Sequence, residues 1–514
     1  MPSPAPRQHS LSRALYDELR ARIADGTYAP GAVLPSTRAL AAERGVSRAT
    51  VSLVYEQLSA DGFIDTRSGA ASRVAAGAAP SSSSGSTRAA KSPRTHAAIF
   101  AGTLSAFGGR VDAMQLKSPA PPTPGEIDFV YGPLAGEDFP TLPWLKALRA
   151  AETQRAPHLA YDDPCGSMAL RRALQTHLSQ TRGLSCSVEQ IMIVNGSQQA
   201  LDLCARVLIN PGDAVVVENP GYRMAHHVFE ACGARLLCAG VDEHGLQTDA
   251  LGQWPSAQLL YVTPTHQFPL GGLLPIGRRR ALLEWAVQRR AWVIEDDYDS
   301  EYRYAVRPEA SLQALDTQGC VIHVGTFSKT LSPLLRVGYM VLPTRLVAPF
   351  AAAKRLGDRH AATGVQRALA RLLEDGSYGR HVRRMRRQQH ARQKALVGAL
   401  HRHLGQRVSV QGDASGLHLV AWLTDWPASH ESAVAQAAQG AGVRVHPIGP
   451  LFHPNAPRLA AQHAGLVMGY ASLSLGEIEE GVRRLTAALD RLEAARGTPS
   501  TRGAIASKRR AVRA

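Results

Sequence analysis

The sequence predicts an α/β protein with a mainly parallel sheet and a small C-terminal subdomain, preceded by a separate small helical unit. Three observations carry this. From Ile127 onward, short apolar runs alternate with stretches of helical periodicity, the pattern of strands connected through helices. Before that, the chain opens with three short helical patterns punctuated by glycine. Between the two lies a stretch of about fifty residues rich in Ala, Ser, Gly and Pro, with the composition of a linker.

In the first unit, Leu11, Leu15, Leu19 and Ile23 recur every four residues and predict an amphipathic helix closed by Gly26. After the turn Tyr28-Ala-Pro-Gly31, Ser36 caps a short helix that ends at Gly45. Ser47 caps the next helix, whose inward side carries Val51, Val54, Tyr55 and Leu58. Two short helices separated by a tight turn form a helix-turn-helix. Residues 63–74 then predict two short strands around a turn, a wing. The segments Leu34-Pro-Ser-Thr-Arg38, Ser47-Arg-Ala-Thr50 and Asp61-Gly-Phe-Ile64 resemble the winged-helix DNA-binding domain of the GntR family, over residues 8–75. The resemblance implies a double-stranded DNA operator as partner, met by Arg38, Ser47, Arg48 and Thr50. A helix N-terminus faces phosphate, and arginine can bind guanine at two points. The family wing carries Gly-x-Gly where this chain has Gly69-Ala-Ala71.

Residues 76–125 read as a flexible linker, stiffened at Pro119-Ala-Pro-Pro-Thr-Pro-Gly125, with an apolar stretch at 99–107 expected to dock on a neighbour. It is long enough for the DNA-binding unit of one subunit to lie against the large domain of another. The net charge of +16 divides unevenly: +2 in residues 1–74, +4 in 75–124 and +5 in 497–514. Most of the excess therefore sits in the linker and in a basic tail, 496–514, expected to be disordered. Such a distribution suits a polyanion such as DNA.

In the large domain, strands are predicted at 191–194, 214–218, 259–263, 292–296, 321–325 and 337–342. A smaller subdomain, about 390–495, holds a strand at 417–422 and a final helix opened by the capping box of Ser474 and Glu477. Ligands of such sheets sit at the carboxyl ends of the strands, and the informative residues fall there. Most lysines are solvated surface charges. Lys329, however, follows the apolar run 321–324, with Thr326 and Ser328 before it and Arg336 seven residues after. This fits a lysine that forms a Schiff base with pyridoxal 5'-phosphate (PLP), whose phosphate Thr326, Ser328 and Arg336 would hold. In Asn195-Gly-Ser-Gln198 the helix start presents Ser197 and Gln198 to an anion. Tyr222 follows another strand and would stack on the pyridine. In Glu295-Asp-Asp-Tyr298, Asp296 is the carboxylate expected to protonate the pyridine nitrogen and Tyr298 the donor to the phenolic oxygen.

Residues 126–495 resemble the fold-type I aminotransferases. Tyr161-Asp-Asp-Pro-Cys-Gly166 looks like the family segment whose tyrosine reaches the partner subunit's phosphate, which implies a homodimer with Tyr161 shared between sites. Glu295-Asp-Asp-Tyr-Asp-Ser-Glu301 and Thr263-Pro-Thr-His-Gln-Phe-Pro269 resemble the MocR-type subgroup, which joins a GntR winged helix to this domain in this order. Two positions depart from the aminotransferases. Phe268 stands where they carry an asparagine that touches the phenolic oxygen, leaving His266 or Gln267 as substitutes. Val467, in Leu466-Val-Met-Gly-Tyr470, stands where they place the arginine that grips the substrate carboxylate, leaving Arg223 as a candidate for an effector's acid group.

The expectation is a PLP-dependent DNA-binding transcriptional regulator that senses PLP, an amine or an amino acid through Lys329. The alternative is an active aminotransferase with a DNA-binding appendage. The composition, 45% hydrophobic and 19% charged, suits a soluble globular protein, and no run is long enough to span a bilayer. The start lacks a signal-like apolar region, so a cytoplasmic protein is expected. The six cysteines form no C-x-x-C pair, so neither a metal site nor a disulfide framework is indicated.

Overall fold

The computed structural model describes residues 7–66, 70–78, 102–116, 120–153, 160–305, 309–454 and 462–497. The chain divides into two compact units, Met1–Ala101 and Gly102–Ala514. Among the sequence-based expectations, the wing tip at Gly69, most of the linker and the basic tail lie outside the described residues.

The first unit packs α1 (Arg7–Ala24), α2 (Thr37–Arg44) and α3 (Arg48–Ala60) around a core that includes Leu15, Leu19, Ile23, Leu40, Val54 and Leu58. Burying each such side chain contributes about 1.5–3 kcal/mol. Leu11 is the exception to the expected stripe: it is 52% exposed, and Tyr16 takes the inward place beside Leu15. The caps form as the sequence requires. Ser36 Oγ accepts from the Ala39 amide at 3.1 Å, Gly45 closes α2 in the left-handed region, and Ser47 Oγ accepts from the Thr50 amide at 3.1 Å. Two antiparallel strands, β1 (Ile64–Asp65) and β2 (Arg73–Val74), pair Ile64 with Val74.

The second unit begins with α4 (Ala106–Ala113), within the stretch expected to be linker. It packs on the later helix 223–231, and Arg110 Nε donates to the Ala231 carbonyl at 2.8 Å. After β3 (Ile127–Asp128), α5 (Thr141–Glu152) and α6 (Met168–Arg182), strands and helices alternate. They run β4 (Ile191–Val194), α7 (Ser197–Leu208), β5 (Ala214–Asn219), α8 (Arg223–Ala231), β6 (Arg235–Asp242), β7 (Gly245–Leu246), β8 (Leu259–Val262), α9 (Ile276–Arg289), β9 (Trp292–Asp297), α10 (Leu312–Leu315), β10 (Val321–Thr326) and β11 (Gly338–Val341). The eight strands form one sheet in the order β4-β11-β10-β9-β8-β5-β6-β7. Neighbours from β10 through β6 are parallel; β11 runs against both of its neighbours, and β7 closes a hairpin on β6. Val215 and Val217 face the α7 side while Val216 packs with α9 residues on the other, so both faces are covered and the strands read as continuous apolar runs.

Helices α11 (Thr344–Asp358), α12 (Thr363–Glu374) and the long α13 (Ser377–Leu404) lead into the small subdomain. There β12 (Val408–Gln411) and β13 (His418–Pro427) precede α14 (Glu431–Gly440), β14 (Val443–Arg444), β15 (His446–Pro447), β16 (His463–Gly469) and α15 (Leu475–Gly497). An antiparallel sheet in the order β12-β13-β16-β15 packs on α13 and α15, and β14 pairs with β3 in parallel. The capping box before α15 forms: the Glu477 amide donates to Ser474 Oγ at 3.2 Å and the Ser474 amide to Glu477 Oε2 at 2.8 Å.

Candidate cofactor site

At the carboxyl ends of β4, β5, β8, β9 and β10 the second unit holds a cavity of about 360 Å³. Nine residues expected from sequence line it: Ser197, Gln198, Tyr222, Asp296, Tyr298, Thr326, Ser328, Lys329 and Arg336. They come from separate parts of the chain, and the parallel sheet brings them together.

One end of the cavity is built for an anion. Ser197 and Gln198 form the first turn of α7, where amide groups have no intrahelical acceptor and the helix end is positive. Gly196 precedes them with φ +82°, and a Cβ there would lie 2.8 Å from Arg336 Nη2, so only glycine lets the guanidinium lie against this turn. Arg336 Nη2 donates to the Asn195 carbonyl at 2.8 Å. Opposite, the Ser328 amide donates to Thr326 Oγ1 at 3.1 Å, and the Thr326 hydroxyl to Ser328 Oγ at 3.0 Å.

The middle is set by strand alternation. β9 carries three successive carboxylates, and Asp296 lines the cavity. Glu295 points to the other side, where the Leu312 amide donates to it at 2.7 Å and His323 Nδ1 lies 3.0 Å away. Asp297 accepts from Arg182 Nε at 3.0 Å. Asp296 Oδ2 accepts from the Tyr261 hydroxyl at 2.7 Å, but its Oδ1 is buried with no partner among the described residues. Burial pushes the Asp296 carboxyl up to about 6, against the hydrogen bond from Tyr261. Lys329 is lowered from the usual lysine range by burial, against the pull of Asp299 and Asp296. Its Nζ donates to the Gly132 carbonyl at 3.2 Å. A helix-end anion cradle, an amine shifted toward its free base and an unpaired buried carboxylate oxygen are what a phosphorylated pyridine aldehyde requires. These residues could hold PLP, with Asp296 Oδ1 available to its ring nitrogen.

The third side contains residues that sequence motifs did not single out. Tyr131, Gly132, Tyr261, Asp299 and His418 line the cavity with Phe268. The Tyr298 hydroxyl donates to the His266 carbonyl at 3.0 Å and lies 2.9 Å from His266 Nδ1. His266 Nδ1 is also 2.9 Å from Asp299 Oδ2, while its Nε2 is buried without a partner among the described residues. Gln267 is turned into the protein, where Nε2 donates to the Pro220 carbonyl at 3.0 Å. Gln267 Nε2 also donates to the Phe268 carbonyl at 2.6 Å, so of the two substitutes for the missing asparagine His266 is the one bonded to a side chain of the lining, Tyr298. Val467 is fully buried in an apolar cluster with Phe268, Leu270, Val420, Ile448 and Leu451. Arg223 does not line the cavity; its Nη1 lies 3.0 Å from His226 Nδ1.

Tyr161 stands apart. It is 75% exposed and lines no part of its own chain's cavity; the Arg359 guanidinium lies 4.9 Å from its ring centroid. In the first unit, Arg38, Ser47 and Arg48 are exposed and Thr50 half-buried around the start of α3. The Ser47 and Thr50 hydroxyls lie 2.8 Å apart.

Both units match known proteins. Residues 11–74 match the family of bacterial regulatory proteins, gntR family, and residues 133–466 match aminotransferase class I and II. The chain is 34% identical over 499 residues to the probable rhizopine catabolism regulatory protein MocR of Rhizobium meliloti, covering 97% of each chain. It is 32% identical to the transcriptional regulator TauR of Rhodobacter capsulatus, over 94% of this chain and 97% of that one. Among solved structures, the α-aminoadipate aminotransferase LysN of Thermus thermophilus, complexed with N-(5'-phosphopyridoxyl)-L-leucine, superposes with a TM-score of 0.68 at 29% identity. It covers 76% of this chain and 98% of that one.

Proposed function

Because the chain belongs to the MocR-type regulators of the GntR family, a DNA-binding winged helix joined to an aminotransferase-like domain, we propose that its large domain is a PLP-dependent sensor. Occupancy of that sensor would set the DNA affinity of the first unit. The observation that supports it most directly is the unpaired, buried Asp296 Oδ1 in the same cavity as Lys329. When bound, PLP supplies an aldehyde carbon that captures primary amines and a ring that withdraws electrons.

The chain's own residues then divide the work. Lys329 holds the cofactor covalently, and burial keeps its amine disposed to react. Ser197, Gln198, Thr326, Ser328 and Arg336 hold the phosphate, joined by Tyr161 of the partner subunit in a homodimer. Tyr222 covers the ring face, and Asp296 pairs with the ring nitrogen. Tyr298 is placed for the phenolic oxygen, oriented by His266. In the first unit, Arg38, Ser47, Arg48 and Thr50 meet the phosphates and base edges of the operator. The effector is PLP itself or an amine that displaces Lys329 from it. Either works only through a difference in affinity for two arrangements of the protein. Among the described residues no helix is long and apolar enough to cross a membrane, and the site of action is proposed as the cytoplasm.

The test pairs two measurements on the full chain. Protein supplied with PLP should absorb at about 420 nm, and Lys329→Ala should remove that band. A gel shift on the promoter next to its own coding region should change by at least severalfold on adding PLP. No band in the wild type, or a gel shift indifferent to PLP and amines, overturns the sensor reading.

A further inference from the structure

Resting on the PLP reading, we infer that the site selects a primary amine that carries no carboxylate on its amino carbon. Among the described residues that line the cavity, the cations are Lys329 and Arg336. Lys329 is bonded to the aldehyde carbon until the amine displaces it, and then stands as a buried amine whose charged form burial disfavours; Arg336 lies against the anion end, bonded to the Asn195 carbonyl. No lining cation of this chain remains for a second acid group.

The wall that faces the amine substituent is apolar or electron-rich instead. Tyr131 and Phe268 pack with their rings tilted by 54° and their centroids 5.3 Å apart, and Phe268 continues into the buried cluster that contains Val467. His418 is the one imidazole among the described lining residues, and it does not act as a cation. Its Nε2 meets the Pro269 carbonyl at 3.1 Å, so the proton sits there and Nδ1 is left as an acceptor. Burial, with His266 nearby, holds His418 well below the ordinary histidine range. Asp299 completes this side as a further oxygen acceptor, bonded to His266. Arg223, the remaining candidate for an acid clamp, is outside the lining and engaged with His226.

A carboxylate brought here would face aromatic carbon, an acceptor nitrogen and a second carboxylate, and would lose its water without gaining a cation. A hydroxyl or a second amino group would instead find acceptors in His418 and Asp299. The exchange itself is balanced. The amine nitrogen would bond to the cofactor carbon as the bond from that carbon to the Lys329 nitrogen breaks, and the two protons lost by the amine would end on Lys329 as a free amine, with no oxidant or reductant needed.

Matched pairs test this, because each pair differs only by the carboxylate: ethanolamine and serine, cadaverine and lysine, tyramine and tyrosine. The full-length protein loaded with PLP is titrated with each compound, reading the shift of the cofactor band and the rise in melting temperature. In every pair the amine should half-saturate at a concentration at least tenfold lower than the amino acid. Val467→Arg should narrow or reverse that ratio by restoring a clamp. If that variant does not fold, the wild-type ratios decide alone. Equal or tighter binding of the amino acids overturns the inference while leaving the cofactor reading intact. Absence of any cofactor band overturns the cofactor reading and this inference with it.

Discussion

On β9 three consecutive carboxylates meet three different surroundings. Glu295 and Asp297 share one face, as alternation along a strand demands: backbone amides and His323 meet Glu295, while Arg182 and Ser300 donate to Asp297 Oδ2 and its Oδ1 is buried with no partner among the described residues. Asp296 alone turns into the cavity, with one oxygen bonded to Tyr261 and the other unpaired. Its carboxyl therefore sits at about 6 in the cofactor-free protein, because burial penalises the charged form. The sign of the pH effect follows. A carboxyl whose folded value lies above its unfolded value of 3.8 holds its proton longer when folded. The stability this lends is present below that unfolded value and is lost as pH rises through about 6. Cofactor-free wild type should lose up to about 3 kcal/mol over this window relative to Asp296→Asn, in denaturant melts at each pH. With PLP bound, pairing with the ring nitrogen favours the charged carboxylate and should flatten the difference. Parallel pH profiles of wild type and variant without cofactor would show that Asp296 is already ionised there.

At the scale of elements, α3 combines two roles at one end. Ser47 caps it, and the same N-terminal turn presents Arg48 to solvent. A cap substitution and a contact substitution should separate them. Ser47→Ala should cost about 1 kcal/mol and speed amide exchange in α3, weakening operator binding as a consequence. Arg48→Ala should leave exchange unchanged, lower affinity, and reduce the salt slope of binding by roughly one if it meets a phosphate. Amide exchange and salt-dependent gel shifts on the full chain measure both; identical behaviour of the two variants would remove the distinction. These caps were legible because capping is local chemistry, read from a hydroxyl and its next three residues. The central strands were legible for a related reason: buried on both faces, they leave continuous apolar runs. β6 was not, since Arg235 is exposed, residues 236–238 are half-buried and the element sits toward the sheet edge. α4 was hidden by its two glycines, Gly108 and Gly109, within a stretch of linker-like composition, and packing on α8 supplies what propensity does not. The contacts of His266 with Tyr298 and Asp299 join residues 32 and 33 positions apart in sequence through tertiary packing, so no periodicity could announce them. Leu11 was misplaced because four-residue spacing drifts around a helix of 3.6 residues per turn.

For the whole molecule the open feature is Tyr161, an aromatic side chain three-quarters exposed on a segment that contributes nothing to its own chain's cavity. If its hydroxyl completes the phosphate site of a second subunit, the two sites of a dimer are each made from two chains, and complementation between variants detects this. Tyr161→Phe homodimers should hold PLP roughly tenfold more weakly, the scale of one lost hydrogen bond to a charged group. Lys329→Ala homodimers should show no cofactor band. In a mixed dimer of one chain of each, sharing predicts one restored site: the Tyr161→Phe chain supplies Lys329 and the Lys329→Ala chain supplies Tyr161. Equilibrium titration of purified, differently tagged heterodimers should then give half a band per dimer at wild-type affinity. If Tyr161 acts within its own chain, the same heterodimer has only one weak site, because Lys329 and the intact tyrosine lie on different chains. A half-band at the weak affinity would therefore refute sharing, and unaltered affinity in the Tyr161→Phe homodimer would remove Tyr161 from the site altogether.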